Sequence, residues 1–253
     1  MTDKSCTAVR LPNPMNKYYS PFLQMKCFSV AIVAFVLLGG ELLRAETVTL
    51  RSGNGNIGGT DSLITMLVGP ADTWFASAFT PSDFADARSG SAAFIVSPNG
   101  AWISDLPSDN TAQWISTSSS GASEGSTALY AIDFTLTDPA ASATLDLKYS
   151  VDNVLGGGGA GPTQGVYLNG MPISGSSIGG DFLSEYSITR SDIAPLLAVG
   201  TNTLYINATD VGGPAGLIFS ASIETTPIPE PSSAILLATG LLVLWGACEQ
   251  TPH

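Results

Sequence analysis

Through the middle of this chain apolar and polar residues alternate, and an uninterrupted apolar run lies on either side of that region. Alternation with a period of two marks a strand with one buried face. It is clearest over residues 47–50, 63–68, 130–136, 143–149 and 201–208, and residues 92–96 and 215–223 also read as strands. Asn169-Gly170, between an apolar stretch at 166–168 and a second one starting at 171, is a hairpin signal. Residues 191–199 predict one short helix, with Ser191 as its cap and Gly200 just past its end. Pro98-Asn99-Gly100, Asp138-Pro139 and Gly212-Gly213-Pro214 punctuate the strands as turns. Residues 116–127 are Ser/Gly-rich and expected to be exposed, and Gly156 to Gly159 to form a flexible tip. The Gly/Asn-rich stretch 52–56 is a turn too short to cradle a phosphate. Trp74, Phe75 and Phe79 read as core aromatics, and Tyr167 and Tyr205 as half-buried. No repeat of 20–50 residues is present. Many short strands with regular turns and almost no helix predict an all-β, antiparallel sandwich over residues 46–225.

The two apolar runs need a different explanation. Met25-Lys26 precedes the run at 27–38, and Gly39-Gly40 and Ala45 follow it. A basic start, an apolar stretch of about 12 residues and a small residue at the cut site make residues 25–45 a secretory signal peptide, cleaved after Ala45. Residues 1–24 carry Pro12, Pro14 and Pro21 without apolar periodicity, and are expected to be a disordered or mis-assigned extension ahead of a start at Met25. The second run, 232–248, carries no charge. With Pro231 the uncharged stretch is 18 residues, near the lower end of what a transmembrane helix requires. Pro227, Pro229 and Pro231 form a stiff spacer before it, and Trp245 suits a membrane–water boundary.

Composition narrows the chemistry. Between residues 46 and 226 there are 4 basic and 17 acidic side chains, a net −13. That field argues against nucleic acid, whose phosphates need Lys and Arg. Cys6, Cys27, Cys248 and His253 all lie outside this stretch, which therefore has neither thiol nor imidazole. Ser-His-Asp and Cys-His relays, thiolate metal sites and HExxH zinc sites are excluded there. Two carboxylates can run glycoside hydrolysis, but no spacing marks an acid and a nucleophile, so the expectation is no enzyme. Asp152 and Asn153 either cap a turn or supply oxygen and amide groups to a sugar or to Ca²⁺. Trp102 and Trp114, each followed by Ile, are either core residues or rings that stack on a glycan. Asp105 and Asp109, with Ser108 and Asn110, form a loose oxygen cluster and a weak calcium candidate; no other cofactor is expected.

Pro229-Glu230-Pro231, the uncharged run behind it and the signal peptide in front resemble a bacterial PEP-CTERM sorting signal spanning residues 226–253. The resemblance implies export through the Sec translocon, transient anchoring in the inner membrane, and recognition by an exosortase-type processing enzyme. The chain departs from the pattern in its tail, where residues 248–253 lack the usual Arg/Lys cluster. Trp102-Ile103, Trp114-Ile115, Asp152-Asn153, Tyr167-Leu168-Asn169-Gly170, Gly200-Thr201-Asn202-Thr203-Leu204 and Gly213-Pro214-Ala215-Gly216-Leu217 resemble the galactose-binding-like jelly roll found in many such exported proteins. Together the resemblances imply a cell-surface or extracellular-matrix protein associated with exopolysaccharide, or a purely structural matrix component.

Overall fold

The computed structural model describes residues 45–158, 161–177 and 179–228. The expected extension, the signal peptide up to residue 44 and the sorting segment from Pro229 onward, including Glu230 and Pro231, lie outside the described residues. Among the described residues no helix is long and apolar enough to cross a membrane.

In chain order the elements are β1 (Glu46–Arg51), β2 (Thr60–Val68), a helix α1 (Pro81–Ser89), β3 (Ser91–Ile95), β4 (Ile115–Ser116), β5 (Ala128–Leu136) and β6 (Ala140–Asp152). There follow β7 (Val154–Leu155), β8 (Val166–Leu168), β9 (Met171–Pro172), β10 (Tyr186–Arg190), a 3-10 turn (Ala194–Leu196), β11 (Gly200–Thr209) and β12 (Gly216–Pro227). The strands form one sheet in the order β10-β6-β12-β4-β3-β2-β5-β11-β8-β9, with β1 beside β12 and β7 beside β11. Every strand ladder is antiparallel.

The sheet curls because alternate residues from its two halves seek the same interior. Leu145 and Leu147 of β6 and Phe219 and Ile223 of β12 share one buried cluster with Ile132 of β5 and Ile206 of β11. Two smaller clusters cover the outer faces. Phe84 and Ala87 of α1 lie over Leu129, Ala131, Tyr167 and Tyr205. The segment from Val96 to Trp114 folds over Ile218 of β12. That second cover explains why Gly216, Leu217, Ile218 and Phe219 are buried on both faces, whereas β12 alternates cleanly further along.

Glu46 pairs with Thr225, and the amide of Ile228 donates to the carbonyl of Pro139 at 3.0 Å. The chain therefore enters and leaves the sheet at one end, and the loops after β2, β6 and β11 gather at the other.

The helix over 191–199 does not form. Pro195 has no amide to donate, and the side chain of Asn202 binds both the amide and the carbonyl of Ala198 (2.8 and 2.7 Å), leaving only the 3-10 turn. Gly200, at φ 92°, opens β11 instead of ending a helix. The helix that does form is α1. Thr80 caps it by accepting from the amide of Asp83, and the Asp83 carboxylate accepts in return from the amide of Thr80 at 2.7 Å, with Pro81 at the first turn. The Asn169-Gly170 turn is present, with φ of 52° and 80°. Tyr167 and Tyr205 are buried rather than half-buried.

The Gly/Asn-rich stretch 52–56 wraps a buried carboxylate. Asp61 accepts from the amides of Gly53 (2.7 Å), Asn54 (2.9 Å), Leu63 (2.9 Å) and Ile64 (3.1 Å). Gly53 is required there: its φ is 88°, and a Cβ would lie 2.3 Å from that of Gln113.

Candidate functional site

The four candidate glycan contacts come together, but as a brace inside the protein, in keeping with the core and turn alternatives. Trp102 is 7 % exposed and Trp114 1 %, and their rings lie on one another with centroids 4.2 Å apart. Trp114 donates from Nε1 to the carbonyl of Ile103 at 2.8 Å, and Trp102 from Nε1 to Oδ2 of Asp152 at 2.7 Å. Gly216 lets both indoles approach β12, since a Cβ there would lie 2.6 Å from Trp102. Neither ring offers a face to a ligand, which corrects their assignment as glycan contacts. Asp152, 4 % exposed, and Asn153 are joined by a cis peptide bond. Asn153 donates from Nδ2 to Oδ1 of Asp152 (2.6 Å) and accepts at Oδ1 from the amide of Val211 (2.7 Å). Its own amide donates to the carbonyl of Thr209 at 3.1 Å. Both side chains are thus taken up in joining the ends of β6 and β11. Burial pushes the Asp152 carboxyl above its ordinary value; the Trp102 N–H pulls it back, and the charge of Asp210 adds to the rise.

The weak calcium candidates separate. Asp105 is exposed and accepts from its neighbour Ser104. Asp109 accepts from the hydroxyl (2.6 Å) and amide (3.1 Å) of Thr111 and from the hydroxyl of Ser220 (2.8 Å). The guanidinium of Arg51 stands 3.4 Å away, so a side chain supplies the positive charge there. Among the described residues no group of three or more acidic, His or Cys side chains is placed to hold a metal ion.

A different constellation occupies the end of the sheet away from Glu46. Leu204, Ile206 and Ala208 of β11 face the core, so Tyr205, Asn207 and Thr209 line the opposite face. Thr127, just before β5, donates from Oγ1 to the carbonyl of Thr73 (2.5 Å) and accepts from the amide of Asp210 (2.9 Å). These bonds carry the segment 73–75 across that face. Asp72, at φ 58°, donates its amide to Oδ2 of the buried Asp210 (3.1 Å), whose Oδ1 accepts from Gly212 (2.8 Å). Trp74 is 39 % exposed, the one exposed indole among the described residues and not the core residue expected. Two glycines back it: a Cβ at Gly161 would meet the carbonyl of Phe75 at 1.9 Å, and one at Gly157 would meet Trp74 at 3.4 Å. Phe75 and Phe79 do pack inward, over the cluster beneath α1.

Near this end of β11 two buried polar atoms lack partners among the described residues. Asn207 and Thr209 are both 0 % exposed, and among the described residues neither Oδ1 of Asn207 nor Oγ1 of Thr209 has a hydrogen-bond partner. Leaving such a group unpaired costs about 1–3 kcal/mol. An exposed indole, an unpaired amide oxygen and hydroxyl, and two carboxylates are a set suited to a polyhydroxylated ring: an apolar face for its C–H side and hydrogen-bonding groups for its oxygens. Trp74 had a sequence signal in the Gly69-Pro70-Ala71-Asp72 turn before it. Asn207 and Thr209 had none, because outward polar residues of a strand are ordinarily solvated.

No family model matches the chain, and no curated protein does. Among solved structures, the family 35 carbohydrate-binding module from Paenibacillus barcinonensis aligns at 12% identity and a TM-score of 0.29, covering 69% of this chain and 97% of that one. The family 35 module from Clostridium thermocellum aligns at 11% and 0.28, over 70% of this chain and 97% of that one. The exo-β-1,3-galactanase from Phanerochaete chrysosporium aligns at 14% and 0.28, over 51% of this chain and 26% of that one. Superpositions this loose assign neither fold nor ligand; what is established is a curled, antiparallel, all-β sheet.

Proposed function

We propose that residues 46–225 are a galactose-binding-like jelly roll, exported and non-enzymatic, that contacts exopolysaccharide through the end of the sheet bearing Trp74. The observations carrying this reading are the exposed indole of Trp74 and, toward the same end of the sheet, two buried polar oxygens of β11 that have no partner among the described residues. In this reading the Sec translocon exports the chain, the segment 226–253 anchors it transiently in the inner membrane, and an exosortase-type enzyme recognises Pro229-Glu230-Pro231. The mature protein then reaches the cell surface or the extracellular matrix. The paired apolar runs and the proline spacer support that route. The lack of Cys and His between residues 46 and 226 supports the absence of catalysis, as does the commitment of the Asp152 carboxylate to Trp102 and Asn153. A second reading, a purely structural matrix protein, is favoured by the burial of Trp102 and Trp114.

Electrophoresis of the full chain through gels containing single polysaccharides separates the two. A sugar-free zwitterionic detergent keeps residues 27–38 and 232–248 in solution without competing for the site. Under the binding reading, at least one polysaccharide retards the protein, and Trp74→Ala abolishes the retardation without moving the unfolding midpoint. Trp102→Phe does the reverse: it strips Asp152 of a donor, costs about 1–3 kcal/mol of stability and leaves retardation intact. Free migration in every gel would leave the structural reading standing.

A further inference from the structure

We propose that Asn207 and Thr209 form a buried subsite for one hydroxyl group of a neutral sugar, entered beside Trp74, and that Asp72 and Asp210 turn anionic sugars away from it. This rests on the sugar-binding reading above and narrows its ligand class.

The two residues are two apart on one face of β11, so their backbones are about 7 Å apart. In the proposed subsite a single hydroxyl group serves both side chains. The amide nitrogen of Asn207 donates to the carbonyl of Gln164, at 3.4 Å, and the acceptor Oδ1 is left without a partner among the described residues. A partner for that atom must donate a proton, and a partner for the Thr209 hydroxyl can either donate or accept. A hydroxyl group does both at once. An ionised carboxylate has no proton to give Asn207. Water also meets the requirement, and is the occupant a sugar hydroxyl would displace. Both side chains are fully covered, so entry requires a local opening of the chain around them.

Charge selects in the same direction. The four cations between residues 46 and 226 are each paired with a carboxylate: Arg51 with Asp109, Arg88 with Asp133, Lys148 with Asp146 and Arg190 with Asp192. None of those partners belongs to the segments 69–75, 153–158 or 207–214. A uronic acid at Trp74 would meet Asp72 and Asp210 with no cation to compensate, whereas a neutral hexose carries no such penalty.

The test uses the full chain in the same detergent, titrated in gels containing galactomannan, arabinogalactan or β-1,3-glucan as neutral probes, and alginate or polygalacturonate as anionic ones. The expected result is binding to at least one neutral probe and to neither anionic one. Thr209→Val keeps the shape, removes the hydroxyl and should weaken that binding about tenfold with no fall in the unfolding midpoint, while Thr209→Ser restores it. If Thr209→Val binds as tightly as the unaltered protein while Trp74→Ala does not bind, the subsite is wrong and the sugar-binding reading survives. Equal affinity for alginate overturns the charge selection. Binding to no probe removes the subsite together with the reading on which it rests.

Discussion

Asp109 collects three hydrogen bonds and the charge of Arg51 on one carboxylate, and the outcome is a titration that can be followed. Burial alone would raise its pKa, but the hydrogen bonds from Thr111 and Ser220 and the charge of Arg51 outweigh that and hold it below its ordinary value. A carboxyl with a lowered folded-state value stabilises the protein fully above its unfolded value, and the contribution fades as pH falls through the lowered one. Asp109→Asn should therefore lower the urea midpoint at pH 7 and show a smaller deficit at pH 3. Asp152 has the opposite sign: its raised value means that its contribution is largest in acid and declines as pH rises through that value. An Asp109→Asn deficit that grew on acidification would contradict this assignment. The two aspartates look equally polar in sequence, and only their neighbours separate them.

At the scale of elements, α1 depends on its first turn. It has nine residues and buries only Phe84 and Ala87, so little of its stability comes from packing. Thr80→Ala removes the reciprocal cap and should cost about 1 kcal/mol, read from the thermal unfolding midpoint. The same shortness hid the helix from a reading of periodicity; its visible trace was Thr80-Pro81 followed by Asp83, a capping pattern rather than an apolar stripe. The strands at 47–50, 130–136, 143–149 and 201–208 were legible because each has one face on the core, and the Asn169-Gly170 hairpin because the turn demands that chemistry. The helix expected over 191–199 failed at Pro195, whose effect periodicity does not register. The candidate site was the least legible part. Trp102 and Trp114 become a buried stack only because the segment between them folds back over Ile218, and Trp74 stays exposed because glycines rather than bulky side chains back it. Both facts arise from contacts between distant parts of the chain.

At the scale of the whole molecule, the apolar runs on either side of an acidic, thiol-free middle make a prediction about processing. Fractionating the host and weighing the protein by mass spectrometry should recover a form that begins at Glu46 and has lost the uncharged run at 232–248. A full-length product confined to the cytoplasm would contradict the proposed route. The pairing of Glu46 with Thr225 bears on what such a product can reach. With the first and last strands side by side, residues 45 and 228 both lie at the base of the sheet. The strand from Gly216 to Pro227 spans roughly 35 Å at about 3.3 Å per residue. Trp74, at the opposite end of the sheet, is thus about one strand length away from that base.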